Sequence, residues 1–348
     1  MNNLSVLCLA VAGLSACNGS NSKSSETANA SSRSNAAEKP NIVIILTDDQ
    51  GYRDMKCYGN SRLQTPNLDQ LAAEGIRFTN FYAGAAASTP SRAALLTGRY
   101  AERAGLQGVV DDLSVNGLES DEFTLADYLK QNNYATGIFG KWHLGCLPEH
   151  LPLRHGFNEF FGLPYSNDMW PFHPQPGHPY RALPLYDNER VVEYNPTVNH
   201  MTTRITERAT AFIDKHKNEP FLLYVPYTQP HVPLGVSDKF KGKSGEGLYA
   251  DVIMEIDWSV GEIMKTLKEN GLDDHTLVLF TSDNGPWLSY GNHGGSTGGL
   301  REGKGTTFEG GQRVPFIARM PGRIPAGKVS EQFLSALDIT PTIVELTG

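Results

Sequence analysis

A chain of 348 residues with 39% hydrophobic and 20% charged residues has ordinary globular composition, and it carries enough apolar material for one large α/β domain or two smaller ones. Its formal charge of −8 excludes a broadly basic surface. Nucleic acid is therefore not an expected partner, and any anionic ligand must be met by locally placed cations.

In chain order, residues 4–12 form a short apolar run followed by Leu14-Ser15-Ala16-Cys17. The run is too short to span a bilayer, and the four residues look like the cleavage box of a bacterial lipoprotein signal peptide, with Cys17 as the lipidated residue. Met1-Asn2-Asn3 lacks the usual Lys or Arg, so a plain apolar leader is the alternative. Residues 1–17 are read as the signal, and residues 18–39, rich in Ser, Asn and Ala, as a flexible tether. The folded domain is placed at 40–348, exported and held at a membrane by the lipid alone, facing the periplasm or cell surface. Of the four cysteines, Cys57 and Cys146 are left for the folded body. One disulfide between them stays open, and a zinc site is not expected at their spacing.

Residues 41–46 are a continuous apolar, β-branched run ending at Thr47-Asp48-Asp49-Gln50-Gly51, the pattern of a buried parallel strand delivering polar side chains from its C-terminal end. Ligand sites of open α/β sheets favour that edge. Thr65-Pro66 opens a helix through Leu68, Leu71 and Ala72 that Gly75 closes as a C-cap, and a strand follows at 77–82. Further helices are predicted at 124–130, 203–216, 248–270 and 338–346, with strands at 135–139, 221–227, 276–281 and 314–319. Residues 147–199 are dense in Pro, Tyr, His and Asn without period and read as a long surface excursion. The alternation predicts an α/β fold with a mainly parallel sheet covered by helices.

Ser88-Thr89-Pro90-Ser91-Arg92, followed by Ala93-Ala94-Leu95-Leu96-Thr97-Gly98-Arg99, reads on its own as an N-cap with proline at N1. It also resembles the signature around the catalytic residue of the type I, formylglycine-dependent sulfatases, nearest their arylsulfatase A-like branch. Asp48-Asp49-Gln50-Gly51 and Ser282-Asp283-Asn284-Gly285-Pro286 are similar to that family's two metal-binding elements, although each alone is also a common turn sequence. Gly140-Lys141-Trp142-His143-Leu144-Gly145, Gln229-Pro230-His231-Val232-Pro233 and the segment from Arg301 to Gly311 with Lys304 resemble three further elements. Gly162-Leu163-Pro164-Tyr165-Ser166-Asn167-Asp168 resembles a segment whose serine reaches the sulfate. Strand alternation would turn Lys141 and His143 to one side and Trp142 to the other. Gly303-Lys304-Gly305-Thr306 lacks the full spacing of a phosphate loop.

The resemblance covers roughly residues 39–348. It implies an alkaline phosphatase-like sandwich with a large central sheet, while the family's small C-terminal subdomain is expected to be missing or truncated here. It implies one Ca2+ held by Asp48, Asp49, Asp283, Asn284 and the residue at position 88, oxygen ligands that suit a hard cation. It implies oxidation of Ser88 to Cα-formylglycine by a radical S-adenosylmethionine maturation enzyme, pointing to an anaerobic or facultative bacterium.

In the implied cycle one hydroxyl of the aldehyde hydrate, held by Arg92, attacks the sulfur of a sulfate monoester, and Lys141, Lys304 and Ser166 bind sulfate oxygens. His231 protonates the departing alcohol. His143, as base, then lets the second hydroxyl expel sulfate. His173, His178 and His293 are left as candidate substrate contacts. The implied activity is that of an arylsulfatase-like sulfuric ester hydrolase acting on sulfated carbohydrates. Two rivals are a phosphoesterase of the same superfamily, which would bring a second metal, and a non-catalytic binder of sulfated glycans with Ser88 unmodified.

Overall fold

The apolar run that opens the domain forms β1 (Asn41–Thr47), buried along its whole length, in a computed structural model that describes residues 39–174 and 180–348. Cys17 and His178 lie outside the described residues. Chain order continues with α1 (Pro66–Glu74), β2 (Ile76–Tyr82), α2 (Ser88–Thr97), α3 (Leu125–Gln131), β3 (Ala135–Lys141), β4 (Glu159–Leu163), β5 (Pro184–Asp187) and β6 (Arg190–Tyr194). There follow α4 (Met201–His216), β7 (Phe221–Pro226), α5 (Leu248–Glu269), β8 (Thr276–Ser282), α6 (Glu309–Gln312), β9 (Arg313–Arg319), β10 (Lys328–Ser335) and α7 (Ile339–Thr347).

Among the described residues the strands form one sheet in the order β10-β2-β9-β8-β1-β7-β3-β4-β5-β6. Its centre, from β8 through β4, is parallel. Antiparallel pairing enters on both sides, through β9 and through β5 and β6. Successive residues of β1 serve opposite faces, as the pleat requires. Val43 and Ile45 pack with Leu68 of α1, Phe212 of α4 and Ile256 of α5, whereas Ile42, Ile44 and Leu46 pack with Leu95 of α2, Leu129 of α3 and Ile343 of α7. A helical layer thus covers each face. No described helix is long and apolar enough to cross a membrane.

The structure differs from the sequence expectations in several places. The excursion at 147–199 contains β4, β5 and β6, and β4 lies parallel beside β3. Its run Phe160-Phe161-Gly162-Leu163 is buried but short, with a glycine and no β-branched residue to mark it as a strand. Strand β10 was not anticipated either; its residues are largely exposed, so it lacks a buried face. Gly75 ends α1 in an extended conformation and not as a left-handed cap. It is a glycine because a Cβ there would stand 2.4 Å from the Ala318 carbonyl oxygen. Ser88 is the first residue of α2, the cap position falling to Ala87. The pairing that the sequence leaves open is not made: Cys57 and Cys146 are both free thiols.

Candidate active site

The candidate residues gather at the carboxyl ends of the parallel strands, where open α/β sheets place their ligands. Thr47 ends β1 and releases Asp48 and Asp49; the neighbouring strand β8 releases Asp283 and Asn284. Asp283 N donates to Thr47 O at 3.1 Å, joining these two ends, and Asp48 N donates to Gln229 O at 3.1 Å, tying β1 to the segment after β7. Asp49 takes a left-handed φ of 67°, and its N–H donates to Asp283 Oδ1 at 3.1 Å. Lys141 is the last residue of β3, Ser166 follows β4 and His231 follows β7. The loop bearing Lys304 is fixed by Lys304 N to Pro286 O and by Gly305 N to Ala86 O, two residues before Ser88.

Ser88 Oγ is buried between two carboxylates, donating to Asp283 Oδ2 at 2.6 Å with Asp48 Oδ1 at 3.2 Å. Lys141 Nζ reaches Asp48 Oδ2 at 2.6 Å, and both Ser88 Oγ and Ser166 Oγ at 3.3 Å. Arg92 follows Ser88 by one helical turn, so both lie on one face of α2. Its Nε and Nη2 donate to Asp283 Oδ2 at 3.1 and 2.8 Å, and its Nη1 to Lys141 O at 2.9 Å. Lys304 Nζ binds Asp49 Oδ2 at 2.8 Å. His231 Nε2 lies 3.4 Å from Ser166 Oγ and 3.7 Å from Asp49 Oδ2.

Three carboxylates, of Asp48, Asp49 and Asp283, thus meet three cations, of Arg92, Lys141 and Lys304. Buried charges survive only when paired in this way. Burial alone would raise the Asp48 carboxyl, but Lys141, His231 and Arg92 outweigh it and hold Asp48 below the usual range. Burial opposes protonated Lys304 and Arg92, yet the facing carboxylates keep both above their ordinary values. The set is balanced by itself, so a divalent cation added to it leaves the pocket net positive and receptive to an anion.

The donors fit such an ion. Asn284 Oδ1 is buried without a hydrogen-bond partner, while its Nδ2 donates to Asp49 Oδ1 at 2.7 Å. Three carboxylates and an amide oxygen are hard ligands. His231 is a nitrogen neighbour of the same place, since ligand atoms of Asp48, Asp49 and His231 lie within 4.8 Å of one another.

Strand alternation does not govern His143. The strand ends at Lys141, and His143 takes a φ of 62°, so pleat alternation does not set where its ring points. Lys141 points at Asp48, whereas His143 Nε2 meets Val110 O at 2.9 Å. A carbonyl only accepts, so Nε2 carries the hydrogen and Nδ1, buried and unpartnered, is a bare acceptor. Burial and then the Lys141 and Arg92 charges push His143 well below the ordinary histidine value, keeping it neutral. Trp142 packs away, its Nε1 donating to His150 O. By the same logic His231 Nδ1, 2.5 Å from Val232 O, carries a hydrogen and leaves Nε2 facing the pocket.

His293 is exposed, and the His173 ring packs 5.3 Å from Tyr180; neither reaches the carboxylate set in any described contact. Two other residues were missed. Trp287 stacks under Lys304, Nζ to ring centroid 4.5 Å, and edge-on to His231 at 5.5 Å. Asp168, two residues beyond Ser166, is held, against burial, below the usual carboxylate range by its polar neighbours, the His231 charge foremost, then Ser166, Lys141 and Lys304. Asp168 closes the segment read for Ser166 and Trp287 follows the one ending at Pro286, and no spacing rule marks either.

The sulfatase family model matches residues 40–348. Arylsulfatase A of Bos taurus is 44% identical over 330 residues, an alignment covering 90% of this chain and 65% of that protein. The chain therefore spans less than two thirds of the length of this relative. Among solved structures, Ps i-CgsB in complex with k-i-k-neocarrahexaose is 36% identical with a TM-score of 0.80, covering 89% of this chain and 72% of that one. A structure reported with the metabolism of multiple glycosaminoglycans by Bacteroides thetaiotaomicron is 32% identical with a TM-score of 0.78, covering 89% and 78%.

Proposed function

The chain belongs to the sulfatase family, and from that premise we propose that it is a sulfuric ester hydrolase releasing inorganic sulfate from sulfate monoesters of carbohydrates. One observation carries the reading: Ser88 Oγ sits within 3.3 Å of two acidic side chains and one ammonium, at the centre of a balanced set of three anions and three cations. Arylsulfatase A is a relative by sequence, and structural relatives include one holding a carrageenan oligosaccharide and one described with glycosaminoglycan metabolism. Those names support a sulfated glycan as the substrate class.

Asp48, Asp49, Asp283 and Asn284 would hold one Ca2+, which supplies Lewis acidity toward a sulfuryl oxygen and the oxygen at position 88. Formylglycine at position 88 supplies, as its hydrate, a nucleophile with a second hydroxyl that the encoded serine lacks. The remaining roles belong to side chains on the page. Lys141, Lys304 and Ser166 bind sulfuryl oxygens, and Arg92, clamped between Asp283 and Lys141 O, keeps position 88 in place. His231 Nε2 holds the proton for the leaving oxygen, and the bare Nδ1 of His143 accepts one from position 88.

A serine precursor calls for a radical S-adenosylmethionine maturation enzyme, and the lipobox at Cys17 supports export as a membrane-anchored lipoprotein. The test is sulfate release by matured protein from a panel of sulfated sugars and from 4-nitrophenyl sulfate, beside matching phosphate esters. Release of sulfate is expected. Phosphate release with no sulfate release overturns the assignment.

A further inference from the structure

Resting on the reading above, we propose that Trp287, Tyr290 and Asp168 form the subsite that receives the sugar ring bearing the scissile sulfate, with Asp168 accepting a hydrogen bond from a neighbouring sugar hydroxyl or amine.

The geometry begins at His231. Its Nε2 faces Ser166 and Asp49 on the side where sulfate oxygens are bound, so the leaving oxygen must lie at that nitrogen and its carbon skeleton beyond it. On the flank of the same imidazole stands Trp287, edge to face at 5.5 Å, and Tyr290 meets Trp287 at 4.7 Å with planes 75° apart. Both rings are half-buried, so part of each remains open at the mouth. Half-open aromatic rings beside a few placed polar groups are what a pocket for an amphipathic ring requires.

Asp168 completes the wall. It follows Ser166 by two residues, and Ser166 Oγ lies 3.4 Å from His231 Nε2; its charge acts on the Tyr290 hydroxyl beside those of Lys304 and Asp49. One carboxylate oxygen of Asp168 is buried with no hydrogen-bond partner. A buried acceptor left unmatched is unfavourable, and a donor on the substrate removes that cost. A sugar has such donors next to its sulfate; a simple aryl sulfate has none. The subsite therefore selects for carbohydrate over aryl leaving groups.

The experiment compares kcat and KM of matured wild type, Asp168→Asn, Trp287→Phe and Trp287→Ala. The substrates are monosulfated galactose and N-acetylglucosamine beside 4-nitrophenyl sulfate. Asp168→Asn is expected to lower kcat/KM for the sugar sulfate about tenfold more than for the aryl sulfate, chiefly through KM. Trp287→Ala is expected to raise KM for the sugar, and Trp287→Phe to restore most of it. Equal losses on both substrates would mean that Asp168 merely supports Ser166 and would overturn the proposal, as would no change on either. Failure of wild type to release sulfate from every substrate would instead bring down the underlying function, and the subsite with it.

Discussion

Lys141 Nζ lies 2.6 Å from Asp48 Oδ2, and neither side chain is exposed to solvent. Removing one partner of such a pair strands a buried charge, which costs about 3–5 kcal/mol. Lys141→Ala is therefore expected to lower the denaturant midpoint sharply and to abolish sulfate release. Adding Asp48→Asn should recover part of the stability without recovering activity, because the stranded charge is gone while the site remains incomplete. Strictly additive losses in the double variant would contradict the pairing.

The oxygen donors Asp48, Asp49, Asp283 and Asn284 make one site, since Lys141 and Lys304 already occupy the other faces of Asp48 and Asp49. Elemental analysis of purified protein is expected to find one divalent ion per chain. Chelation should stop turnover and lower Tm, with about 2.7 kcal/mol of stabilisation at an ion concentration a hundred times Kd. Two transition ions per chain would favour the phosphoesterase alternative.

Gly285 connects the second acidic strand end to the Lys304 loop. A Cβ at this position would stand 1.8 Å from the Gly310 carbonyl oxygen, and Gly285 N donates to Gly311 O at 2.9 Å. Gly285→Ala is expected to push the loop outward and draw Lys304 off Asp49. Sulfate release should fall at least tenfold with a KM increase, measured against a Tm change too small to account for it. An unchanged KM would show that the loop adapts.

Far from the site, Asp257 of α5 accepts from Asn67 N, Asn67 Nδ2 and Leu68 N at the start of α1. Burial pushes its carboxyl from 3.8 up to about 6 despite those donors. The folded state then holds this proton more tightly than the unfolded chain. The group's stabilising contribution is full below about pH 4 and is lost as pH rises through about 6, on the order of 3 kcal/mol in all. Asp257→Asn should lose about 1 kcal/mol of capping yet show a shallower stability change between those pH values. An identical slope would contradict the assignment.

The parallel core was legible because each central strand is an apolar run that ends on turn or acidic residues, as Asn41–Thr47 does before Asp48. The acidic pairs could be placed at one edge for the same reason: parallel strands all deliver their ends to one side. Strand β4 escaped because it is five residues long, holds a glycine and has no β-branched residue, so it lacks the run that marks β1. The turn at His143 escaped because alternation was carried past the last strand residue, where a left-handed φ reverses it. Asp168 and Trp287 escaped for another reason. Each acts across the pocket on residues far off in sequence, and such pairings are made only when β4, β7 and β8 align.

The most direct measurement is peptide mapping by mass spectrometry of chain that releases sulfate, focused on the peptide containing Ser88. Cα-formylglycine makes that peptide two hydrogens lighter than the encoded sequence, and the aldehyde should react with a hydrazide. The account predicts the lighter, hydrazide-reactive peptide in proportion to activity, and neither activity nor reactivity in Ser88→Ala. Full sulfate release from protein whose Ser88 peptide retains the encoded mass would contradict it.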